Sequence, residues 1–188
     1  MVEILAGAPP PVQIAGCAVG MRARGEPVEG VPGMASAMWD AGRGVGLPAE
    51  AVDVVGSGGD RANTVNISTM AAIVAAAAGA PVVKHGNRSA SSLSGTADCL
   101  ESLGVVLDLS PGAQEVVLAE AGIVFLFAPF YHPSLRHAAV ARRELGISTS
   151  FNFLGPLVNP GRPAAQAVGV ADRRMAGLMA GVIAGRGN

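Results

Sequence analysis

Apolar positions recur at roughly helical spacing over residues 9–23 and again over 27–41. Each stretch opens on proline, which suits the first turn of a helix, and Gly25 closes the first. The glycine-rich string 41–48 (AGRGVGLP) then reads as a connection. From residue 51 the pattern changes. Residues 51–55 are a short β-branched run, read as a strand, and Gly56-Ser57-Gly58-Gly59-Asp60 follows as a turn. Residues 66–78 predict a helix stopped by Gly79, with Pro81 beyond. Val82 and Val83 open a second strand that runs into KHGNR. Helices are expected over 97–103, 112–121 and 133–145, and strands over 105–109, 123–128 and 165–170. Asp172 is placed to cap a last helix.

Strands alternating with helices at this spacing imply βαβ units. The expected fold class is α/β, a mainly parallel sheet flanked by helices, plus a small N-terminal helical domain. The boundary falls at residues 48/49. Residues 1–48 form a partial helical domain offering a dimer surface, and 49–188 form a partial α/β domain. The alternation stops after a helix, where a strand is due. The sheet is therefore expected to be incomplete at its C-terminus, and the chain to be a piece of a longer protein.

Composition narrows the class. Half of the 188 residues are hydrophobic and 14% are charged, unlike a disordered chain. A net charge of −1 argues against a nucleic-acid binder, which needs a basic stripe. The apolar run 70–78 is far too short to span a bilayer, and the N-terminus lacks a signal-peptide pattern. A cytoplasmic protein with no membrane partner is expected. Cys17 and Cys99 give neither a disulfide framework nor a metal-finger spacing, and are read as buried or inert. The positive charge is lopsided: twelve Arg against one Lys, Lys84. Lysine is a compact point charge suited to phosphate, so Lys84 is the first candidate.

Two loops carry candidate chemistry. The first joins the strand at 51–55 to the helix that starts at Asn66-Ile67-Ser68-Thr69. Its glycines let backbone N–H groups approach an anion, and a helix N-terminus favours phosphate. The spacing is that of neither a P-loop nor a dinucleotide fingerprint. The second loop, 84–92, offers an ammonium, a guanidinium, an imidazole, an amide and three hydroxyls at the end of the next strand. Side by side, the two loops form a cradle for a polyanion. Ser68 and Asp60 can help to hold a hydrated Mg²⁺ on its phosphates. A third element is His132-Pro133, with Arg142 and Arg143 one helix later. An arginine there can pair with a carboxylate.

The strings VGSGGD, NIST, KHGNRSASS, GTADCLESLGV, FLFAPFYHPSLRHAAVARRELG and FNFLGPLVNP, in this order, resemble the anthranilate phosphoribosyltransferase family over residues 9–188. The resemblance implies transfer of phosphoribose from phosphoribosyl pyrophosphate (PRPP) to the amine of anthranilate, with release of pyrophosphate, in tryptophan synthesis. It also implies a helical domain joined to an α/β phosphoribosyl-transfer domain, with homodimers formed across the helical domain. Family PRPP contacts fall on Gly56, Gly59, Asp60, Thr64, Asn66, Ile67, Ser68, Thr69, Lys84, His85, Gly86, Asn87, Arg88, Ser89, Ala90, Ser91, Ser92 and Thr96. Ser68 matches the Mg²⁺-linked serine. Anthranilate contacts fall on Gly56, Asn87, His132 and Arg142, and the reaction is assigned to Lys84, Asn87 and Arg142.

The sequence departs from the family pattern at Ser57, Thr96, Leu93 and Ser148. An acidic Asp-Glu pair that holds Mg²⁺ in the family is expected shortly after residue 188. Without it, weak or no turnover is expected of this chain alone. Two alternatives stand beside this reading. One is a pyrimidine nucleoside phosphorylase-like enzyme of the same fold. The other is a short non-catalytic relative that binds phosphoribosyl ligands.

Overall fold

Proline in the first turn and glycine at the C-cap mark several of the helix ends. The computed structural model describes residues 1–27, 29–58, 65–89 and 94–185. Helices α1 (Val2–Leu5), α2 (Pro11–Arg24) and α3 (Gly30–Asp40) lead the chain. Then come β1 (Val52–Gly56), α4 (Ile67–Ala77), β2 (Val82–Gly86), α5 (Thr96–Ser102), α6 (Pro111–Ala121) and β3 (Ile123–Phe127). Next are α7 (Ala128–Tyr131), α8 (Arg136–Leu145), α9 (Ser150–Leu154), β4 (Ala165–Gly169) and α10 (Arg173–Ala184). Helix α6 shows the sequence logic plainly. Pro111 starts it, Ser110 Oγ accepts from the Ala113 N–H at 3.3 Å, and Gly122 ends it at φ +69°, a left-handed conformation. Asp172 caps α10 by accepting from the Arg174 N–H at 3.1 Å.

All four strands are parallel, in the order β3-β2-β1-β4. The chain steps outward from β1 through β3, then crosses to the other side of β1 for β4. In such sheets ligands bind at the carboxyl ends where the winding reverses, here at β1. Pairing is uneven. β2–β3 and β1–β4 are in register along five residues each, whereas β1 and β2 pair only at Val52↔Val82.

One face of the sheet packs Val83, Val124 and Leu126 against Leu118 of α6 and Tyr131 of α7. The other carries Phe125 against Ala97 and Leu100 of α5. Helices α1 and α3 share a separate core with α9, α10 and the segment between α9 and β4. Each buried Val or Leu of these clusters contributes about 1.5–3 kcal/mol.

Three expectations are corrected. Residues 105–109 form no strand. Leu107 is buried against Phe125, but Leu109 is only half-buried and Val105 and Val106 are exposed, so no second fully buried position anchors a ladder. The helix expected over 133–145 begins as a tight 3₁₀ turn, Pro133–Leu135, before α8. Cys17 is exposed rather than buried. Among the described residues no helix is long and apolar enough to cross a membrane.

The Tyr131 hydroxyl donates to Gln114 Oε1, and both side chains are buried. Tyr131→Phe leaves that oxygen unpaired in the core. A loss of about 1–3 kcal/mol is expected in denaturant unfolding, whereas an unchanged midpoint contradicts the pairing.

Candidate functional site

The site grows from the carboxyl ends of β1 and β2. Alternation along β2 puts Lys84 on one face of the sheet and Val83 and His85 on the other. Lys84 is 2% exposed, and its Nζ donates to the Val54 carbonyl and to Ser68 Oγ, the latter at 3.3 Å. Ser68 lies in the first turn of α4, so the ammonium joins β1, β2 and a helix N-terminus. Burial pulls the Lys84 pKa down to about 8, and Asp53 opposes that shift. Thr69 Oγ1, one residue on, is buried without a hydrogen-bond partner.

Gly56 and Gly58 leave β1 exposed, with Gly58 at φ +65°. Ser57 is buried between them, and its Oγ accepts from the Ala171 N–H at 3.1 Å, tying β1 to the exit of β4. The candidate contacts Gly59, Asp60 and Thr64, and Ala90, Ser91 and Ser92, lie outside the described residues.

The second loop turns around Asp98 of α5. Its Oδ2 accepts from the Gly95 N–H at 2.8 Å and the Ser89 N–H at 3.1 Å. These backbone donors, Gly95 first, hold its carboxyl below the usual range. Asn87 caps the same turn. Its carbonyl accepts from the Ala97 N–H at 3.2 Å, and its Oδ1 accepts from the Arg88 N–H at 2.7 Å. Arg88 is paired with Glu101 at 2.5 and 2.7 Å and with Asp98 at 3.0 Å. Its charge is thus met within the protein. Gly95 has no room to vary, because a Cβ there would lie 2.2 Å from the Ser89 nitrogen. Gly86 and Thr96 stand against each other where the loop leaves the sheet and enters α5.

Behind the sheet lies a buried polar group that sequence reasoning passed over. Asp53, fully buried, accepts from the His85 N–H at 3.3 Å and from Gln166 Nε2 at 3.2 Å. Burial raises its pKa, while Asn159 and the other donors around it pull the other way. Asn159 Nδ2 donates to the Val83 carbonyl at 2.8 Å, and Oδ1 accepts from the Gly161 N–H at 2.9 Å. The signal available for Asp53 was a carboxylate inside an otherwise apolar strand, VDVVG. The signal for Asn159 was the string FNFLGPLVNP itself.

His85 and His132 meet edge to face, with centroids 5.3 Å apart, and both are buried. His132 Nε2 lies 2.9 Å from the Val158 carbonyl. The His85 ring meets the Gly155 carbonyl, and its Nε2 is buried without a hydrogen-bond partner. His132 also lines a cleft of about 310 Å³ with Trp39, Arg43 and Arg162. Arg142 stands apart from the lysine loop. Its guanidinium lies over the Phe151 ring at 5.7 Å, where α8 packs against α2, and burial lowers its pKa. The structure thus brings Lys84 to Ser68 and His85 to His132, and holds Arg142 in a separate cluster. Among the described residues, no group of three or more His, Cys, Asp or Glu is placed to hold a metal.

Two family models match the chain: the helical bundle domain of a glycosyl transferase family over residues 1–42, and the a/b domain of that family over 48–187. The chain is 58% identical to an anthranilate phosphoribosyltransferase of Thermobifida fusca, covering 100% of this chain and 54% of that protein. It is 60% identical to that of Acidothermus cellulolyticus, covering 100% of this chain and 53% of that protein. It spans about half the length of the curated relatives it matches. Among solved structures, the Thermus thermophilus anthranilate phosphoribosyltransferase aligns at a TM-score of 0.92 and 43% identity, over 99% of this chain and 57% of that one. The Saccharomyces cerevisiae enzyme in complex with PRPP and Mg aligns at 0.78 and 30%, over 92% and 50%.

Burial, and then the nearby His132, depress the His85 pKa from 6.5 to about 3. A depressed folded-state value contributes stability that is present above pH 6.5 and is lost as the pH falls from 6.5 towards 3. His85→Asn removes this term. A shallower fall of Tm over that interval is expected in the variant, and parallel falls in the two proteins contradict the burial argument.

Proposed function

The chain belongs to the glycosyl transferase family built of a helical bundle domain and an a/b domain, and we propose that its site moves phosphoribose from PRPP to the amine of anthranilate, giving N-(5-phosphoribosyl)anthranilate and pyrophosphate. One juxtaposition carries the reading. The only lysine of the sequence is buried between two strand ends and donates to Ser68 in the first turn of α4. That is a cationic floor beneath a helix N-terminus, which suits a diphosphate. The relatives bear the same activity in their names, and a related yeast structure is a complex with 4-fluoroanthranilate.

On this reading the loop from Gly56 to Thr64, the helix start at Asn66, Ile67, Ser68 and Thr69, and residues 84–92 with Thr96 surround PRPP. Lys84 and the positive N-terminal end of the α4 dipole stabilise the departing diphosphate. The C1–O bond breaks with its electron pair leaving on pyrophosphate, and positive charge develops on the ribose. The neutral amine of anthranilate donates its lone pair to C1, then releases a proton to solvent. The amine needs little basic help, and positioning of two substrates lowers the barrier. Asn87 and Gly56 line the acceptor, Arg142 pairs with its carboxylate, and His132 lines its approach. The arginine has the burial for such a pair and no carboxylate partner within the protein among the described ion pairs.

The donor set fits Mg²⁺ as a passenger of the substrate. Ser68 Oγ is a hard oxygen at the phosphate end of α4, and Mg²⁺ keeps most of its shell from water and phosphates. When bound, the ion neutralises charge on the diphosphate. The family's dimer through its helical domain, a division of this chain near residue 48 and a cytoplasmic setting belong to the same proposal.

The reading is tested by joining this chain to the remaining half of the Thermobifida fusca relative and following anthranilate fluorescence with PRPP and Mg²⁺. A PRPP-dependent loss, slowed at least about 10²-fold by Lys84→Ala, is expected. Phosphate-dependent cleavage of thymidine or uridine with no PRPP-dependent loss overturns it.

A further inference from the structure

The single rung between β1 and β2 has a consequence for Lys84. A continued parallel ladder would join the Val54 N–H to the Val83 carbonyl and the His85 N–H to the Val54 carbonyl. Instead each of three atoms of that next rung meets a side chain. The Val83 carbonyl accepts from Asn159 Nδ2 at 2.8 Å. The His85 N–H donates to Asp53 Oδ1 at 3.3 Å. The Val54 carbonyl accepts from Lys84 Nζ. The ladder is interrupted at the point where the lysine enters the seam.

We propose that Asn159 and Asp53 are positioning residues which keep β1 and β2 apart and so free the Val54 carbonyl to hold Lys84. The two are linked. The Asn159 amide favours the charged form of the Asp53 carboxylate, so one buried pair occupies both strand atoms that would otherwise close the rung. Gln166 of β4 steadies Asp53 from the far side at 3.2 Å, and the Pro156 carbonyl accepts from the same amide at 3.3 Å. Gly161 keeps the turn after Asn159 close to β2, since a Cβ there would lie 2.6 Å from Val83 Cγ1. The string LVNPG, to which no ligand contact is assigned, acquires a role here as the wedge behind the lysine loop. If Asn159 is removed, the Val83 carbonyl is free to take the Val54 N–H. The His85 N–H then competes for the Val54 carbonyl, and Lys84 loses its acceptor. The inference deepens the functional reading above and rests on it only for the identity of the anion that Lys84 meets.

The test exploits the solitary lysine, because ¹⁵N-lysine labelling of the full chain gives one side-chain resonance. In Asn159→Ala, the Lys84 ammonium protons should exchange about tenfold faster or more, while the Val54 amide becomes more protected. Unchanged exchange at both positions in a folded variant overturns the proposal. Should Asn159→Ala not fold, the native chain decides. Its Val54 amide must exchange faster than that of Val52, which donates to the Pro81 carbonyl at 2.9 Å. Equal protection overturns the parted rung. Calorimetry with Mg²⁺–PRPP on Lys84→Met, Asn159→Ala and the double variant separates this inference from the functional reading. Loss of affinity in Asn159→Ala that vanishes in the Lys84→Met background supports action through the lysine, and additive losses contradict it. Altered exchange in Asn159→Ala, with Lys84→Met leaving PRPP affinity intact, keeps the positioning role and overturns only the choice of anion.

Discussion

An ammonium withdrawn from water must find acceptors or lose its proton, and the architecture around Lys84 answers that demand. The ion is nearly fully buried, yet it has a strand carbonyl on one side and a helix-start hydroxyl on the other. Neither acceptor comes without cost to the fold. The carbonyl is taken from a sheet ladder, and the hydroxyl from the first turn of a helix. A hydrogen bond to a charged group is typically worth about 1.5–3 kcal/mol. The strands and α4 are therefore bound to the lysine as firmly as it is bound to them.

The remainder of the molecule follows from where that charge sits. On the helix side, α4 and α5 flank the two loops, and Asp98 folds the second loop back on backbone N–H groups. On the opposite face, the segment between α9 and β4 presents carbonyls to His85, His132 and Gln166, and the Asn159 amide to Val83. That segment also carries Leu157 and Val158 into the core shared with α1, α3 and α10. One stretch of chain thus couples the helical layer to the strand ends that carry the two loops. Both imidazoles on this face are kept neutral by burial, so the positive charge of the site is concentrated at Lys84.

Much of this architecture was legible in the residues. Proline starts, glycine stops and the change of period at residue 51 give α2, α3, α4, α6 and all four strands. The loops after β1 and β2 announce themselves by their polarity, and the solitary lysine by its rarity. Residues 105–109 misled because a β-branched run predicts a strand only where a neighbour can pair with it. α9 escaped because FNFLGPLVNP is apolar nearly throughout, and its five residues show no period. The buried polar group was beyond reach for a topological reason. Asn159 and Val83 are 76 residues apart, and Gln166 and Asp53 are 113 apart, so only the order β3-β2-β1-β4 brings them together. Local patterns record which residues face inward; they do not record which strands stay apart.

In the proposed function a single cation, Lys84, is the floor of an anion site. The most direct measurement follows the one ¹⁵N-lysine side-chain resonance while Mg²⁺–PRPP is titrated in and ³¹P signals are read on the same sample. The account predicts that the Lys84 resonance shifts in step with the diphosphate phosphorus signals and saturates with them. A diphosphate that binds, by its ³¹P shifts, while the Lys84 resonance stays fixed would contradict it.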